Sequence, residues 1–589
     1  MTDTKTGFTP MEMQDIVARA DEMMCGQFRF DGVWDMEPCP EPVDNRGLDW
    51  DIRYNGDEEW AYMFTRMDWL YKLALASQET GKPDYYRYGL RIIDKWYRDN
   101  RMYLKGGVAN VLRRRLHKGN CLGHRTLDIS ILASNIADYA VWGVEHGFLS
   151  DGLLPHYRTI VTGITDYVFR NSDGEYKSFS NWGIQENGNM VYSLLRLGSD
   201  RHLPDAGSRL VRQVRNQILS DGSQIESSPM YLVEILLVLL KVMKLDGEGE
   251  LRDQLIGPVT KGCEYIRSIR TLDNCIPSLG DSDHNNISDL MLIAADVLNR
   301  DDYRSVADRP LNPEYCFKYR MERTPQQGDC DNNGTEKHTF LHQTVYRSAV
   351  EGFHVLCSNT PRGRSGHKHY DYLSILWSEF GKDVLVDAGR YTYRWNDQRR
   401  FNKGPQGHNT IAVPDGGFYR CVTSWATSER IDSLANRVEW ADGQMSVRMQ
   451  CVLGYGDVLM SRYVTYINNV GLLVTDMIQE HAGLAYKYET YFNIGHDFVA
   501  ECADGAISIH DDEGHTLTYG NDRSLKAEIK PIQISRRYNE QEESSQMTIK
   551  TDGGIVTHSF LKSDGKVTVS YSDETIEYDL SGHHITVRL

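Results

Sequence analysis

The chain has 589 residues, 65 Lys and Arg against 83 Asp and Glu, a formal net charge of −18, and 40% hydrophobic residues. This is the composition of a globular protein with a large core, which excludes a disordered or fibrous chain. The acidic balance excludes the broad basic surface that a nucleic-acid or anionic-membrane partner requires. At roughly 150 residues per domain the length predicts several units, fewer if one is a large toroid or barrel.

The N-terminal stretch MTDTKTGFTPMEMQDIVARADEMM has no apolar core and carries Asp3, Glu12 and Asp15, so no secretory leader is read in it. The densest apolar run, 235–240, is far short of the roughly 18 residues that span a bilayer. Eleven cysteines are scattered from Cys25 to Cys502 without a CxxC pair, the pattern of free thiols in a reducing, cytoplasmic setting.

From Trp60, the residues Met63, Phe64, Met67, Leu70, Tyr71 and Ala74 recur at helical spacing and predict one amphipathic helix. A break at Gly81, Lys82, Pro83 and Asp84 precedes a second helix with Tyr88, Ile92 and Trp96. Further helices are predicted over 127–147, 154–170, 187–197, 206–220, 230–245 and 251–269, joined by short Gly, Asp and Pro connectors, which suggests a helical toroid or solenoid. A polar segment over 328–336 ends this pattern. Beyond it, β-branched and aromatic runs alternate with turn residues over 345–346, 372–377, 384–387, 410–413, 446–452, 458–467, 472–477, 488–492 and 567–571, which predicts an antiparallel sandwich. The expected organisation is α+β: a helical domain over 1–330 and a β-sandwich domain over 331–589.

Three constellations carry possible chemistry. The first is Gly366-His367-Lys368-His369-Tyr370-Asp371, with Asp387 and then Gly407-His408-Asn409 downstream. On a strand the two rings of an H-x-H face one side, so one could ligate a metal while the other serves as a base. His369, Asp387 and His408 form a donor set suited to Zn²⁺. The competing reading is that these residues end strands and satisfy turns. The second is Ser180-Asn181-Trp182-Gly183 together with Glu226-Ser227-Ser228-Pro229-Met230-Tyr231. Asn181 is either an N-cap or a site amide, and Tyr231 either packs or points from a helix mouth into a cleft. The third is Gly280-Asp281-Ser282-Asp283, whose carboxylates could be an acid and base, bind a cation, or cap a helix.

Two windows run against the overall charge. Residues 101–125 hold seven positive side chains and no acids, and residues 362–403 hold nine positive and five negative. Arg125, Arg364, Arg394 and Arg400 lie in them and are candidates to line a cleft for an anionic substrate, since the guanidinium fork suits carboxylate and sulfate.

Taken in order, SNWG, ESSPMY, GDSD, GHKHYDYLSI, LVDAGRYTY and GHNTIAV resemble the heparinase II/III-like polysaccharide lyases, from about residue 60 to at least 480. The resemblance implies an incomplete α/α toroid followed by an antiparallel β-sandwich, and β-elimination at a 4-linked uronic acid to give a 4,5-unsaturated product. It assigns Asn181, with Gln185 as a possible helper, to neutralising the uronate carboxylate. Tyr231 and His367 become acid and base, with Tyr231 doing both jobs when proton and leaving group share a face. It also implies a chiefly structural zinc at His369, Asp387 and His408, no organic cofactor, an anionic oligo- or polysaccharide as partner, and a possible homodimer. Trp182 after Asn181, where an Asn-His pair would stand on the alginate side, points to the heparinase III side and a glycosaminoglycan-like substrate. The alternatives are an alginate- or gellan-type lyase, a toroidal glycoside hydrolase using Asp281 with Asp283 or Glu226, and a non-catalytic glycan-binding scaffold.

Overall fold

The computed structural model describes residues 7–54, 56–105, 125–323, 334–361, 366–503, 506–563, 565, 567–580 and 583–589. It divides into two compact units: 1–225, 231–267 and 285–330 form the first, and 226–230, 268–284 and 331–589 the second.

The first unit is helical. Its described helices are Pro10–Met24, Glu59–Arg66, Leu70–Thr80, Pro83–Leu104, Thr126–Glu145, Leu154–Asn171, the single turn Glu175–Ser178, Asn181–Arg196, Leu203–Gln217, Pro229–Asp246, Glu250–Ile269, Ser288–Leu298 and Pro313–Tyr319, with a hairpin of Gln27–Phe30 and Cys39–Asp44 near the start. Thr126–Glu145 is buried along nearly its whole length and packs against both Leu154–Asn171 and Asn181–Arg196. A helix apolar on most sides belongs inside a bundle. The polar residues it does carry are paired: Asp128 with Arg66 and Arg125, and Asp138 with Lys241 and Tyr192.

Two boundaries differ from the periodicity. The stripe from Trp60 to Ala74 is two helices, because Met67 adopts a left-handed φ of 55° and ends the first. The helix predicted over 187–197 starts at Asn181, six residues earlier, since the buried Asn181, Gln185 and Glu186 are polar and hid its buried face. Ser180 is therefore the N-cap position and Asn181 the first helical residue, so the N-cap reading of Asn181 does not hold.

The second unit is built on two antiparallel sheets whose described strands number nine each. One runs in the order Ile431–Ser433, Gln444–Leu453, Val458–Ile467, Gly471–Glu480, Gly554–Leu561, Thr516–Asn521, Ala506–His510, Val499–Ala503, with Arg437–Ala441 alongside Gln444–Leu453. The other runs Ala527–Ile534, Glu542–Thr551, Tyr488–Ile494, Lys382–Leu385, Ser374–Glu379, Phe353–Ser358, Gln343–Ser348, Thr335–Thr339, with Ile411–Ala412 beside Tyr488–Ile494. Their inward residues, including Val355, Trp377, Tyr488 and Phe492 from one and Met449, Val464, Val474 and Phe560 from the other, share one core. This is the face-to-face packing of a sandwich. A three-stranded sheet, Val567–Tyr571, Thr575–Leu580 and His583–Arg588, buries Ile576 and Tyr578 against Tyr463 and Leu473.

Among the described residues every cysteine is free, and no helix is long and apolar enough to cross a membrane.

Candidate active site and metal centre

His367 and His369 lie in a loop that precedes the strand Ser374–Glu379, so the expectation that a strand aligns them is corrected. Their rings converge for another reason. His367 Nδ1 meets Asp281 Oδ2 at 3.0 Å, and His369 Nε2 meets Asp281 Oδ1 at 2.8 Å. The Asp281 backbone N–H donates to the His367 carbonyl at 3.0 Å, and a Cβ on the preceding Gly280 (φ 56°) would stand 2.8 Å from that oxygen. A glycine at this position admits the approach that lets one aspartate serve two histidines.

Asp281 is fully buried and is gripped by Arg399, Nη1 to Oδ1 at 2.5 Å and Nη2 to Oδ2 at 2.9 Å. Burial alone raises a carboxyl, but Arg399 and then His369 outweigh it and hold Asp281 well below the usual range. Asp283 is likewise held by a buried fork, Arg390 Nε and Nη2 at 2.7 and 2.9 Å. Both aspartates of GDSD are thus paired with buried arginines. With both carboxylates taken up by buried arginines, the pair does not offer the free acid and base that a glycoside hydrolase needs.

Arg399 belongs to the short helix Asp397–Lys403, capped by Asn396, whose side chain accepts from Arg399 N. One turn on, Lys403 donates to the carbonyls of Gly366 and Lys368 at 2.5 and 3.2 Å. Helix spacing of four sets the two side chains on one face, where one fixes the aspartate and the other the histidine loop. Burial, with Arg399 adding to it, lowers Lys403 to about 8.

This changes the reading of the basic window over 362–403. Arg390, Arg399, Lys368 and Lys403 are buried; Lys368 pairs with Asp371, and the others bind as just described. Arg394 and Arg400 remain at the surface, Arg400 paired with Asp397 and 4.8 Å over the Trp395 ring. Arg364 lies outside the described residues, as does most of the window over 101–125.

The metal set is brought together. His369, Asp387 and His408 each offer a donor atom within 4.8 Å of the others, and all three are buried. Asp387 follows the strand Lys382–Leu385, and His408 precedes Ile411–Ala412. His369 Nδ1 and His408 Nε2 are buried nitrogens without a hydrogen-bond partner. The opposite nitrogen of each ring is committed, to Asp281 and, at 2.7 Å, to Asp387 Oδ2. Burial lowers His369 to about 3, which keeps its ring neutral, and raises Asp387 despite His408. Two orphaned imidazole nitrogens and a carboxylate are a donor set that fits a divalent ion of the zinc class; His369 is oriented from behind by Asp281, while the His408 ring is held by Asp387, itself a member of the set.

In the helical unit, Asn181 is buried at the head of its helix, with Gln185 one turn on. Gln185 Nε2 donates to the Glu234 carbonyl at 2.9 Å, and its Oε1 accepts from Asn189. That bond sets Asn181–Arg196 beside Pro229–Asp246, one turn past Asn181 and past the buried Tyr231. Gln185, Asn189, Glu234, Lys241 and Lys318 line a cavity of about 100 Å³, where burial raises the Glu234 carboxyl to about 8. Arg125 stacks 3.4 Å above Tyr62 and 5.3 Å from Trp182, with its Nε on Asp128 at 2.5 Å, so its charge is neutralised locally. Gly183 of SNWG is required because a Cβ there would meet the Lys177 carbonyl at 1.9 Å.

Sequence reasoning missed Asp281 as the shared histidine partner, and with it Arg399, Arg390 and Lys403. The available signal was two aspartates two residues apart, matched by an arginine-rich stretch too far along the chain to pair from spacing alone.

Two family models cover most of the chain: the heparinase II/III N-terminus matches residues 16–299, and the heparinase II/III-like C-terminal model matches 334–575. The chain belongs to the heparinase II/III-like family. Its fold is that of a crystal structure of heparinase III, with a TM-score of 0.75 at 15% identity, covering 100% of this chain and 93% of that one. A heparan sulfate lyase from Pedobacter heparinus gives 0.62 at 14%, covering 100% and 91%. A chondroitin AC lyase from Streptomyces coelicolor A3 in complex with chondroitin sulphate gives 0.58 at 12%, covering 98% and 85%. No curated protein sequence matches the chain. The architecture is an α/α toroid followed by an antiparallel β-sandwich.

Proposed function

We propose that the protein is a polysaccharide lyase that cleaves 4-linked uronic-acid glycans of the glycosaminoglycan class by β-elimination, leaving a 4,5-unsaturated uronate. The observation that carries this reading is His367, a buried imidazole oriented by Asp281 within a chain whose two halves both match the family. The locking of Asp281 and Asp283 by Arg399 and Arg390 speaks against the hydrolase alternative.

The C5 proton of a uronate is very weakly acidic while the neighbouring carboxylate is ionised, so that charge must be offset first. Asn181 takes this role, its side chain presented at a helix N-terminus that favours anions. His367 and Tyr231 then move the protons, one from C5 and one to the departing O4. For substrates whose proton and leaving group share a face, Tyr231 does both in turn. His369, Asp387 and His408 would hold a zinc ion, whose role there would be structural, tying these loops together beside His367. The free thiols among the described residues accord with a reducing compartment. The test is a panel of uronate glycans assayed for the ultraviolet absorbance of the conjugated product; reducing ends appearing without that absorbance would refute the reading.

A further inference from the structure

Trp425 sits at the turn of the hairpin formed by Tyr419–Cys421 and Thr427–Glu429, with 47% of its surface exposed. Its surroundings are rigid. Ser424 Oγ donates to the Tyr393 carbonyl at 2.5 Å, and Arg399 Nη2 donates to the Ser424 carbonyl at 3.2 Å. The Trp425 and Ala426 N–H groups both donate to Thr423 Oγ1, closing the turn. The ring packs 4.4 Å from the buried Tyr393, whose hydroxyl accepts from Arg390 at 2.6 Å. The His367 ring stands 5.6 Å away, nearly perpendicular at 85°. Gly366 lies against the Trp425 backbone, where a Cβ would come within 2.6 Å of the carbonyl oxygen.

The same guanidinium therefore holds Asp281, which orients His367, and the turn that presents Trp425. Leaving an indole half in water is unfavourable, and this one is fixed against the ring of His367, where a ligand at that imidazole would cover it. Held this tightly, it has little conformational freedom left to lose when a ligand lands on it. An indole offers an apolar face and one N–H donor, which suits the C–H face and hydroxyl rim of a pyranose.

We propose that Trp425 is the stacking platform for a sugar ring of the polysaccharide, setting one pyranose beside His367. This rests on the lyase reading. Trp425→Ala and Trp425→Phe are to be compared with the parent on heparan sulfate and chondroitin sulfate. The alanine variant is expected to raise KM about five- to tenfold, the scale of one aromatic contact, with kcat within about threefold, and phenylalanine to restore most of it. An unchanged KM in Trp425→Ala, or a loss confined to kcat, overturns the platform. If the parent cleaves no member of the uronate-glycan panel, the lyase reading fails by that result alone, and equilibrium binding of heparan sulfate and chondroitin sulfate decides the platform. Binding about five- to tenfold weaker in Trp425→Ala sustains it; equal binding by both proteins, or none by the parent, overturns it.

Discussion

The carboxylate of Asp281 is held by both terminal nitrogens of Arg399, at 2.5 and 2.9 Å, and its two oxygens also meet His367 at 3.0 Å and His369 at 2.8 Å. One buried anion thus orients the proposed base and one proposed metal ligand, and it requires a buried cation to exist as an anion at all. Asp281→Asn leaves Arg399 uncompensated in the interior. The expected cost is about 3–5 kcal/mol in denaturant unfolding, with metal affinity falling about 10–100-fold because His369 loses its orienting partner. A variant with parental stability would mean that the pair does not hold this region together.

The orphaned nitrogens His369 Nδ1 and His408 Nε2 lead to a second expectation. Elemental analysis of protein purified without chelator should find one zinc per chain, and His369→Ala or His408→Ala should abolish it. Chelation should lower the melting temperature of the parent and leave that of the variants unmoved, since metal binding is linked to the folded state. Parent protein that carries no metal and melts at the same temperature with added zinc would exclude the site.

The helical half was legible from the helical spacing of Tyr88, Ile92 and Trp96, and the sandwich from β-branched and aromatic runs between turn residues, as in the strand Val458–Ile467, whose limits match the sequence reading. The metal set was legible as residue types, but its assembly was not. His367 and His369 are aligned by Asp281, far away in sequence, and not by a strand. The charge windows misled for a related reason. A count of arginines does not distinguish Arg390 and Arg399, consumed by buried aspartates, from Arg394 and Arg400 at the surface. Pairing over long sequence separations is a property of the fold, and local spacing does not carry it.

The catalytic assignment separates Tyr231 from Asp283. Tyr231→Phe removes one hydroxyl from a buried ring and should lower kcat by about 10²–10⁴-fold with the melting temperature nearly unchanged. Asn181→Ala should cost about 10²–10³-fold, as expected for loss of a donor to developing negative charge. Asp283→Asn should act mainly on stability, through Arg390. Assays of product absorbance beside thermal melts distinguish these patterns. Full activity in Tyr231→Phe would return the hydrolase and scaffold alternatives to consideration.

Acid stability offers a prediction remote from the site. His558, on the strand Gly554–Leu561, is buried; its Nδ1 is hydrogen-bonded to the Tyr519 hydroxyl at 2.9 Å, and its Nε2 is 3.7 Å from Asp476. Burial lowers its pKa to about 4, with Asp476 opposing and Arg462 assisting. The unfolded chain, with a pKa near 6.5, therefore takes up this proton first as pH falls. The stability tied to neutral His558 is complete above about pH 6.5 and is lost between there and about 4, amounting to at most about 3 kcal/mol. His558→Gln should flatten the pH dependence of the denaturation midpoint in this window, and parallel curves for the two proteins would contradict the assignment.

Among the described residues of the second basic window, Arg394 and Arg400 are the exposed arginines. An anionic polymer meets such charges through water, so each should contribute about 0.5–1 kcal/mol to binding, or roughly two- to fivefold in KM. The screening length is about 10 Å at 0.1 M salt and about 3 Å at 1 M. Alanine substitution at either residue should therefore raise KM at low salt, and the variant and parent values should converge at high salt with kcat unchanged throughout. Arg125 should behave differently. Its charge is met by Asp128 and its plane lies on Tyr62, so Arg125→Ala should lower stability and affect KM with little dependence on salt. Equal salt dependence for all three variants would mean that exposure does not decide which arginines the polymer meets.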